Sequence, residues 1–310
     1  MDFIYGQSHI REKKMTLLNS RKEGLWAMVF ILPWIIFVSS FLAYPLLLAF
    51  RTSFLSINVL SPDKAAFVGF ENWLNAIKDF QFWKSLFNVV YNQAFFIPIS
   101  MALGLIFALL LFELGNKGVL YRILLFIPVV TSVPVAYIIF RDFAGTSGPI
   151  QKILVLSGLI DQSIDWAFTR YLPMPIIAVF NSWKWFGIQM LILLGGLHGI
   201  NQSSFEAASV DGTNWFQKIL FITLPQLKHQ LIFILTVNII NGLQMFTEVY
   251  ILFGSGGGMY GAGLTPVLYL YDMGFAQQKM GYASALGLLL AVVIFLVTII
   301  QLKITNSDEE

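Results

Sequence analysis

The sequence predicts an all-α, polytopic membrane protein, and three observations support this fold class. Of the 310 residues, 57% are hydrophobic and 12% are charged, whereas soluble domains carry about 25% charged residues. The mean hydropathy is +0.74. The apolar residues fall into six runs, each of which supplies the about 20 helical residues that cross a bilayer. Because hydrocarbon cannot pair with a backbone amide, each run is expected to be a helix.

The predicted spans are residues 26–50, 85–112, 119–140, 173–198, 227–252 and 279–302. Two of these spans are less apolar than the others. The second opens with Asn88, Asn92 and Gln93, and the fourth carries Lys184 near its middle. Polar groups inside a membrane are costly, so they are expected to face a cavity or one another.

The Lys and Arg residues indicate the orientation of the spans, because cytoplasmic loops carry an excess of them. With the N-terminus inside, the inner segments hold ten basic residues in 73 positions, and the outer segments hold eight in 93. We therefore expect both termini to be cytoplasmic. The chain then divides into a cytoplasmic N-terminal segment (1–25), one six-helix transmembrane domain (26–302) and a cytoplasmic tail (303–310).

The composition also argues against several kinds of site. The chain has no cysteine and only three histidines, so the sequence predicts no disulfide and no metal site. A net charge of +2 is too small to indicate nucleic acid as a partner. Gly256, Gly258 and Gly261 formally match the dinucleotide fingerprint, but they follow a membrane span rather than a strand. We expect no cofactor in this chain.

The segment between the fourth and fifth spans (199–225) is too polar to cross a membrane and contains helix signals. Ser203 and Glu206 have the spacing of a capping box, which predicts a helix that starts at this point. This helix exposes Ala207 and Ala208, and such small residues permit close approach to another surface. The residue chemistry alone equally allows an amphipathic helix that lies on the inner leaflet.

A turn and a second short helix are expected to follow. Asp211 and Gly212 break the first helix, because glycine can take the positive φ that a C-terminal cap needs. Asn214 and Gln217 again have capping-box spacing, and the Leu-Pro pair at 224–225 ends the second helix. The segment is thus predicted to be a helix–turn–helix on the cytoplasmic side.

This segment resembles the EAA loop of ATP-binding cassette importer permeases. The family pattern is E-A-A-x3-G-x9-I-x-L-P, and the chain matches every defined position between 206 and 225. The resemblance implies a cytoplasmic coupling helix between spans four and five, seated in a cleft of an ATPase subunit. The resemblance also implies that five residues transmit motion and take no part in chemistry: Glu206, Ala207, Ala208, Asp211 and Gly212.

The resemblance extends over about residues 25–303 and implies partners as well. These partners are a second permease subunit, two ATPase subunits that bind ATP with Mg²⁺, and an extracytoplasmic solute-binding protein. The chain contains no G-x-x-x-x-G-K-[ST] motif, so ATP hydrolysis through a P-loop must occur in a separate chain.

Three stretches resemble the carbohydrate-uptake branch of the family, which includes the maltose, multiple-sugar and glycerol-phosphate type. They are residues 181–187 (NSWKWFG), 280–285 (MGYASA) and 68–73 (VGFENW). The aromatic rings of the last stretch suit either an interfacial anchor or a partner contact. Many relatives carry Thr-Asn-Gly-Gly-Pro after the fifth span, whereas this chain has FGSGGG at 253–258. The missing proline leaves the shape of that outer loop open.

Polar residues inside the predicted spans form a candidate substrate path. Amides, hydroxyls and an indole suit a sugar, because they pair with its hydroxyl groups and cover its apolar face. The predicted lining is Asn181, Lys184, Trp185, Thr131, Ser132, Asn241, Gln244 and Glu248. The alternative is structural, with hydrogen bonds between helices and Lys184 paired with Glu248. A cationic Lys184 hints at an acidic sugar or phosphate, although the Trp-Lys-Trp run also resembles neutral-sugar permeases.

The predicted function is that of a permease subunit of a binding-protein-dependent, ATP-driven importer. It would move a sugar across the cytoplasmic membrane of a prokaryote by alternating access, and it would not be an enzyme. The alternative is a stand-alone secondary transporter or channel for a small polar solute, which predicts internal repeats, interrupted helices or a filter ring. An intramembrane enzyme would need a cluster of His, Asp and Glu at depth, and the spans do not offer one.

Overall fold

The computed structural model describes Trp26 and residues 28–58, 60–210 and 212–306. The predicted N-terminal segment 1–25 and positions 307–310 of the predicted tail lie outside the described residues. The elements are α1 (Met28–Thr52), β1 (Leu55–Asn58), β2 (Ser61–Phe67), α2 (Glu71–Lys78), α3 (Phe80–Leu114), α4 (Val119–Val130), α5 (Val133–Ala144), α6 (Pro149–Leu156), α7 (Pro173–His198), α8 (Gln202–Val210), α9 (Trp215–Gln226), α10 (Lys228–Leu243), α11 (Thr247–Phe253), α12 (Pro266–Tyr271) and α13 (Met280–Asn306).

The chain is largely helical, as predicted, and its long apolar helices mark it as a membrane protein. Four helices are long and apolar enough to cross a bilayer, namely α1, α3, α7 and α13. Two bent pairs raise the number to as many as six if each pair is one span: α4 with the helical segment after it, and α9 with α10. The predicted boundaries of the fourth span coincide with those of α7.

The third and fifth spans are each interrupted, and the third is interrupted between Pro128 and Pro134, residues that can kink a helix. The third span breaks at Thr131 and Ser132, where the chain bends by 88°. The fifth breaks after Leu243, and a short non-helical stretch at 244–246 leads into α11. These breaks are tolerated because other groups of the chain pair with the freed carbonyls. The hydroxyl of Thr265, for example, donates to Met245 O at 2.7 Å.

Lys184 of α7 braces the break between α4 and α5. Its ammonium donates to Pro128 O at 3.0 Å, to Thr131 O at 2.8 Å and to Thr131 Oγ1 at 3.3 Å. The structural alternative for Lys184 was a pair with Glu248, but its hydrogen bonds go to the oxygens of the break instead. The last carbonyls of a helix have no partner within that helix, and Lys184 supplies donors for those at the end of α4.

Helices α3 and α7 form the centre of the bundle. Gly104 of α3 lies so close to α7 that a Cβ there would be 3.0 Å from Gln189 Cβ and 3.3 Å from Met190 N. Gly187 of α7 lies equally close to α4, since a Cβ there would be 3.0 Å from Leu125 O. Small residues at these crossings let the helices pack closely, which is how membrane helices associate without a hydrophobic driving force.

An antiparallel hairpin of β1 and β2 follows α1, and the all-α prediction did not include it. The stretch at 68–73 holds this hairpin against the end of α1. Asn72 Nδ2 donates to Ser53 O at 2.9 Å and to Leu55 O at 3.1 Å, and Trp73 Nε1 donates to Ser53 Oγ at 3.1 Å. The polar side-chain atoms of Asn72 and Trp73 therefore serve internal packing, whereas Glu71 is exposed.

A carboxylate ties the start of α3 to α12 and α13. Asp79 Oδ2 accepts hydrogen bonds from the hydroxyls of Tyr269 and Tyr282, both at 2.5 Å. Burial of the Asp79 carboxylate acts to raise its pKa, but the bonds that it accepts from two tyrosines and two backbone amides outweigh burial and lower that pKa below its ordinary value. Burial and the bond to Asp79 in turn raise the pKa of Tyr269.

Candidate functional site

A cavity of about 410 Å³ lies between α3, α7, α10 and α11. Most of its polar lining consists of carboxamide side chains, and we call it the amide-lined cavity. Its lining residues are Gln93, Phe96, Asn181, Trp185, Ile188, Gln189, Val237, Asn238, Asn241, Gly242, Gln244, Met245, Phe246, Thr247 and Glu248. A volume of this size matches the pockets that hold small ligands.

Helical periodicity and one helix break direct the polar groups into this cavity. On α7, Asn181, Trp185 and Gln189 recur every four residues, so they lie on one face of the helix. The end of α10 at Leu243 also shapes the cavity, because the non-helical stretch after it brings both Gln244 and Glu248 to the cavity wall. The break in the fifth span thus belongs to the construction of the site.

The cavity wall has a partly satisfied hydrogen-bond network. Gln189 Nε2 donates to Ser100 Oγ at 3.1 Å and to Asn238 Oδ1 at 3.3 Å. The hydroxyl of Tyr137 donates to Asn181 Oδ1. Among the described residues, Gln93 Oε1, Gln189 Oε1 and Asn238 Nδ2 are buried and have no hydrogen-bond partner.

Those three atoms are two acceptors and one donor. A buried polar atom without a partner costs free energy. The exposed amides of Asn241 and Gln244 offer further donors and acceptors to a ligand that carries hydroxyl groups. Trp185 adds an indole ring to the same wall. The arrangement can therefore bind an uncharged, hydroxyl-rich solute, and the described residues include no cluster of three metal-ligating side chains.

The structure brings five of the eight predicted path residues to the amide-lined cavity: Asn181, Trp185, Asn241, Gln244 and Glu248. The other three are Thr131, Ser132 and Lys184, and they do not line it. They lie at the break between α4 and α5, where Lys184 is fully buried and bonded to the backbone. The ammonium also lies 4.8 Å from the ring centre of Trp185, so Lys184 stands behind one of the lining residues.

Sequence reasoning missed four polar lining residues: Gln93, Gln189, Asn238 and Thr247. The signal for three of them was present, because each is an amide within or at the start of an apolar run. Gln189 lies eight residues after Asn181 and therefore on the same helix face. Thr247 carried no such signal, since its position depends on the break before α11.

The 199–225 segment forms two helices, as predicted, but its first cap differs from the prediction. Helix α8 begins at Gln202, and Asn201 Oδ1 accepts from the amide of Ser203 at 3.1 Å. The predicted capping box at Ser203 is therefore wrong, because Ser203 lies inside the helix and Asn201 supplies the capping oxygen two residues earlier. Glu206 remains exposed, whereas Ala208 is buried within the chain, so the prediction that Ala208 is exposed is wrong.

The predicted turn and second cap are confirmed. Gly212 has φ +74°, and the amide of Thr213 bonds back to Ala208 O at 3.1 Å, which closes α8. Asn214 and Gln217 form a reciprocal capping box at 2.9 Å and 2.8 Å. The second helix continues past the predicted end at 224–225 to Gln226. Asp211 lies outside the described residues; Ala207 is part of α8.

Contacts fix this helix pair to the ends of two long helices. Trp215 Nε1 donates to Glu113 Oε1 of α3 at 2.9 Å. The ring of Phe112 packs against Phe205 of α8 and His198 of α7, with centroid distances of 6.2 Å and 5.4 Å. These contacts join α8 and α9 to α3 and α7, the helices that carry Gln93, Asn181, Trp185 and Gln189 in the cavity wall.

Residues 83–306 match the family model described as binding-protein-dependent transport system inner membrane component. The chain is 34% identical to the arabinooligosaccharides transport system permease protein AraP of Halalkalibacterium halodurans, over 97% of this chain and 94% of that protein. It is 31% identical to the trehalose/maltose transport system permease protein MalF of Thermococcus litoralis, over 94% and 98% of the two chains. A crystal structure of a bacterial ABC transporter involved in the import of the acidic polysaccharide alginate shares the fold, with a TM-score of 0.80, 22% identity and coverage of 94% and 98%.

Proposed function

The chain belongs to the family of binding-protein-dependent transport system inner membrane components, and on this premise we propose that it is a permease subunit of an ATP-driven carbohydrate importer. The observation that carries the proposal is the amide-lined cavity enclosed by membrane helices. A permease of this kind makes and breaks no bond in its solute. It needs a polar binding site between apolar helices and an interface with the ATPase that drives it. The amide-lined cavity is the proposed binding site, and the α8–α9 helix pair is the proposed interface.

The proposed substrate is a sugar or an oligosaccharide. Carboxamides both donate and accept hydrogen bonds, so six of them around one cavity can pair with many hydroxyl groups without selecting a charge. The indole of Trp185 offers a flat apolar surface to a sugar ring. The names of similar proteins, which include arabinooligosaccharide, lactose and trehalose/maltose permeases, support this substrate class.

The proposed topology has six spans, with both termini in the cytoplasm of a prokaryote and α8 as a coupling helix between the fourth and fifth spans. Two ATPase subunits would bind ATP with Mg²⁺, and one of them would contact Glu206, Ala207, Ala208, Asp211 and Gly212. A second permease subunit would complete the path. An extracytoplasmic solute-binding protein would deliver the carbohydrate to the opposite face.

The proposed mechanism is alternating access, driven through α8. Nucleotide binding would move α8, and the contacts of Phe112 and Glu113 with the α8–α9 pair would carry that motion to α3. Because α3 and α7 pack closely at Gly104, they would move together and change the exposure of the amide-lined cavity. Hydrolysis would return α8 to its first position.

The double substitution Asn241→Leu and Gln244→Leu tests the proposed site. Both side chains line the cavity, and leucine removes their hydrogen bonds while it keeps a similar size. We expect uptake of radiolabelled oligosaccharide by cells to fall by about tenfold or more, since each lost hydrogen bond costs about 1 kcal/mol. Basal ATPase activity of the purified assembly should persist. Normal uptake by the double variant would remove these residues from the path.

A further inference from the structure

We infer that the amide-lined cavity selects neutral carbohydrates over anionic ones and that Glu248 is the residue that sets this preference. The inference rests on the proposed function and deepens it by naming the charge of the substrate. It concerns a property that the fold leaves open, because the solved alginate importer shares the fold and is described as importing an acidic polysaccharide.

The first observation is the charge of the cavity wall. Of its lining residues, Glu248 alone has an ionisable side chain, and the wall contains no Lys, Arg or His. A carboxylate accepts hydrogen bonds from hydroxyl groups but has no donor to offer to another carboxylate. An anionic sugar in this cavity would place two like charges close together in a poorly solvated space, which disfavours binding.

The second observation concerns the nearest cation, Lys184, whose N–H donors are already occupied although its charge remains. An ammonium has three N–H donors, and those of Lys184 have three acceptors at the break between α4 and α5: Pro128 O, Thr131 O and Thr131 Oγ1. The side chain of Lys184 is also fully buried. A uronate in the cavity could gain a hydrogen bond from Lys184 only if Lys184 gave up one of its hydrogen bonds to the break between α4 and α5.

The third observation is the character of the remaining polar groups. The buried atoms of the wall that have no hydrogen-bond partner are Gln93 Oε1, Gln189 Oε1 and Asn238 Nδ2, which are two acceptors and one donor. Free acceptors suit hydroxyl protons and repel a carboxylate. The six carboxamides of the wall offer N–H donors to neutral and anionic ligands alike, so the charge preference is assigned to Glu248.

The test compares oligosaccharides that differ only in charge. The purified chain, with whatever subunits copurify, is placed in lipid nanodiscs, and equilibrium binding of radiolabelled trisaccharides is measured. Two matched pairs serve as probes: galactotriose with trigalacturonate, and mannotriose with trimannuronate. In each pair, a hydroxymethyl group on each ring is replaced by a carboxylate.

The wild-type protein is expected to bind the neutral member of at least one pair about tenfold more tightly than its anionic partner. In the Glu248→Gln variant this ratio should fall toward one. Glu71→Gln removes an exposed carboxylate outside the cavity and should keep the wild-type ratio.

Three outcomes would overturn the inference. Equal or tighter binding of the uronates by the wild-type protein would show that the cavity does not select neutral sugars, while the proposed carbohydrate transport would stand. An unchanged ratio in Glu248→Gln would take the selection away from Glu248. Binding of neither class would overturn both the inference and the proposed substrate. The wild-type comparison decides the charge preference even if the variant does not fold.

Discussion

At the scale of single residues, several features that resemble the carbohydrate-uptake branch have a clear structural role in this chain. Gly281 is the sharpest case, because a Cβ there would lie 1.8 Å from Leu55 O and 3.0 Å from Thr52 O. Next to it, Ser284 Oγ accepts a hydrogen bond from Thr52 Oγ1 at 2.9 Å, and Tyr282 reaches Asp79. The 280–285 stretch therefore joins the last membrane helix to the end of the first one.

Gly281→Ala is expected to destabilise the protein by about 1–3 kcal/mol, because the methyl group overlaps backbone that cannot move without opening the junction. Thermal unfolding of the purified chain in detergent measures this change. Gly287→Ala is the matched control, since it lies in the same helix and a Cβ there meets nothing within 4 Å. Alanine favours a helix over glycine, so the control should be neutral or slightly stabilised. Equal losses in the two variants would contradict the assigned role of Gly281.

At the scale of elements, the sequence predicted where the spans lie better than it predicted their continuity. Long apolar runs identify helices α1, α3, α7 and α13 because length and hydropathy are local properties. The breaks at 131–132 and 244–246 depend on distant partners, such as Lys184 for the first and Thr265 for the second. Interrupted helices were predicted by the alternative of a stand-alone transporter. In this chain, however, the interruption of the fifth span forms part of the cavity wall. The chain also matches an importer permease over nearly its whole length.

The same limit applies to the candidate site. Asn181, Asn241 and Gln244 could be predicted because an amide inside an apolar run is costly unless it faces a cavity or a partner. The sequence could not show that Lys184 binds the backbone of another helix, since that bond joins positions more than fifty residues apart. Nor could it show that Gln93 of α3 would meet α10 at the cavity wall.

The junction at Asp79 gives an element-scale prediction of pH dependence. Because folding lowers the pKa of this carboxylate, its contribution to stability is present above its ordinary pKa of about 4 and is lost as the pH falls through the lower folded value. The melting temperature of the wild-type protein should therefore drop between about pH 5 and about pH 3. Asp79→Asn should melt lower than the wild type at neutral pH, and the difference should shrink in acid.

Asp142→Asn serves as the control for this experiment, because its carboxylate is largely exposed and forms a surface ion pair with the neighbouring Arg141 at 3.8 Å. Its melting profile should follow that of the wild type. A constant difference between Asp79→Asn and the wild type across the pH range would contradict a role for the ionised Asp79.

At the scale of the whole molecule, the cavity and the α8–α9 pair lie at different places on the same two helices. Helix α3 carries Gln93 in the cavity wall and ends at Phe112 and Glu113, which contact α8 and α9. Helix α7 carries Asn181 and ends at His198, which packs on the same Phe112 ring. The contacts of Phe112 and Glu113 thus join the exposed helix α8 to the two helices that carry the site, and the sequence has no P-loop of its own.

The most direct measurement uses the absence of cysteine from the chain. A single Glu206→Cys substitution places a unique thiol on the exposed face of α8, and Glu71→Cys places one on the exposed face of α2, at the opposite side of the membrane in the proposed topology. Native membranes are treated with a thiol-to-amine cross-linker, and the tagged chain is purified and analysed by mass spectrometry. We predict that position 206 captures a P-loop ATPase and that position 71 does not. Failure of position 206 to capture an ATPase, in a chain that is inserted and transports, would contradict coupling through α8 and leave the stand-alone transporter as the working account.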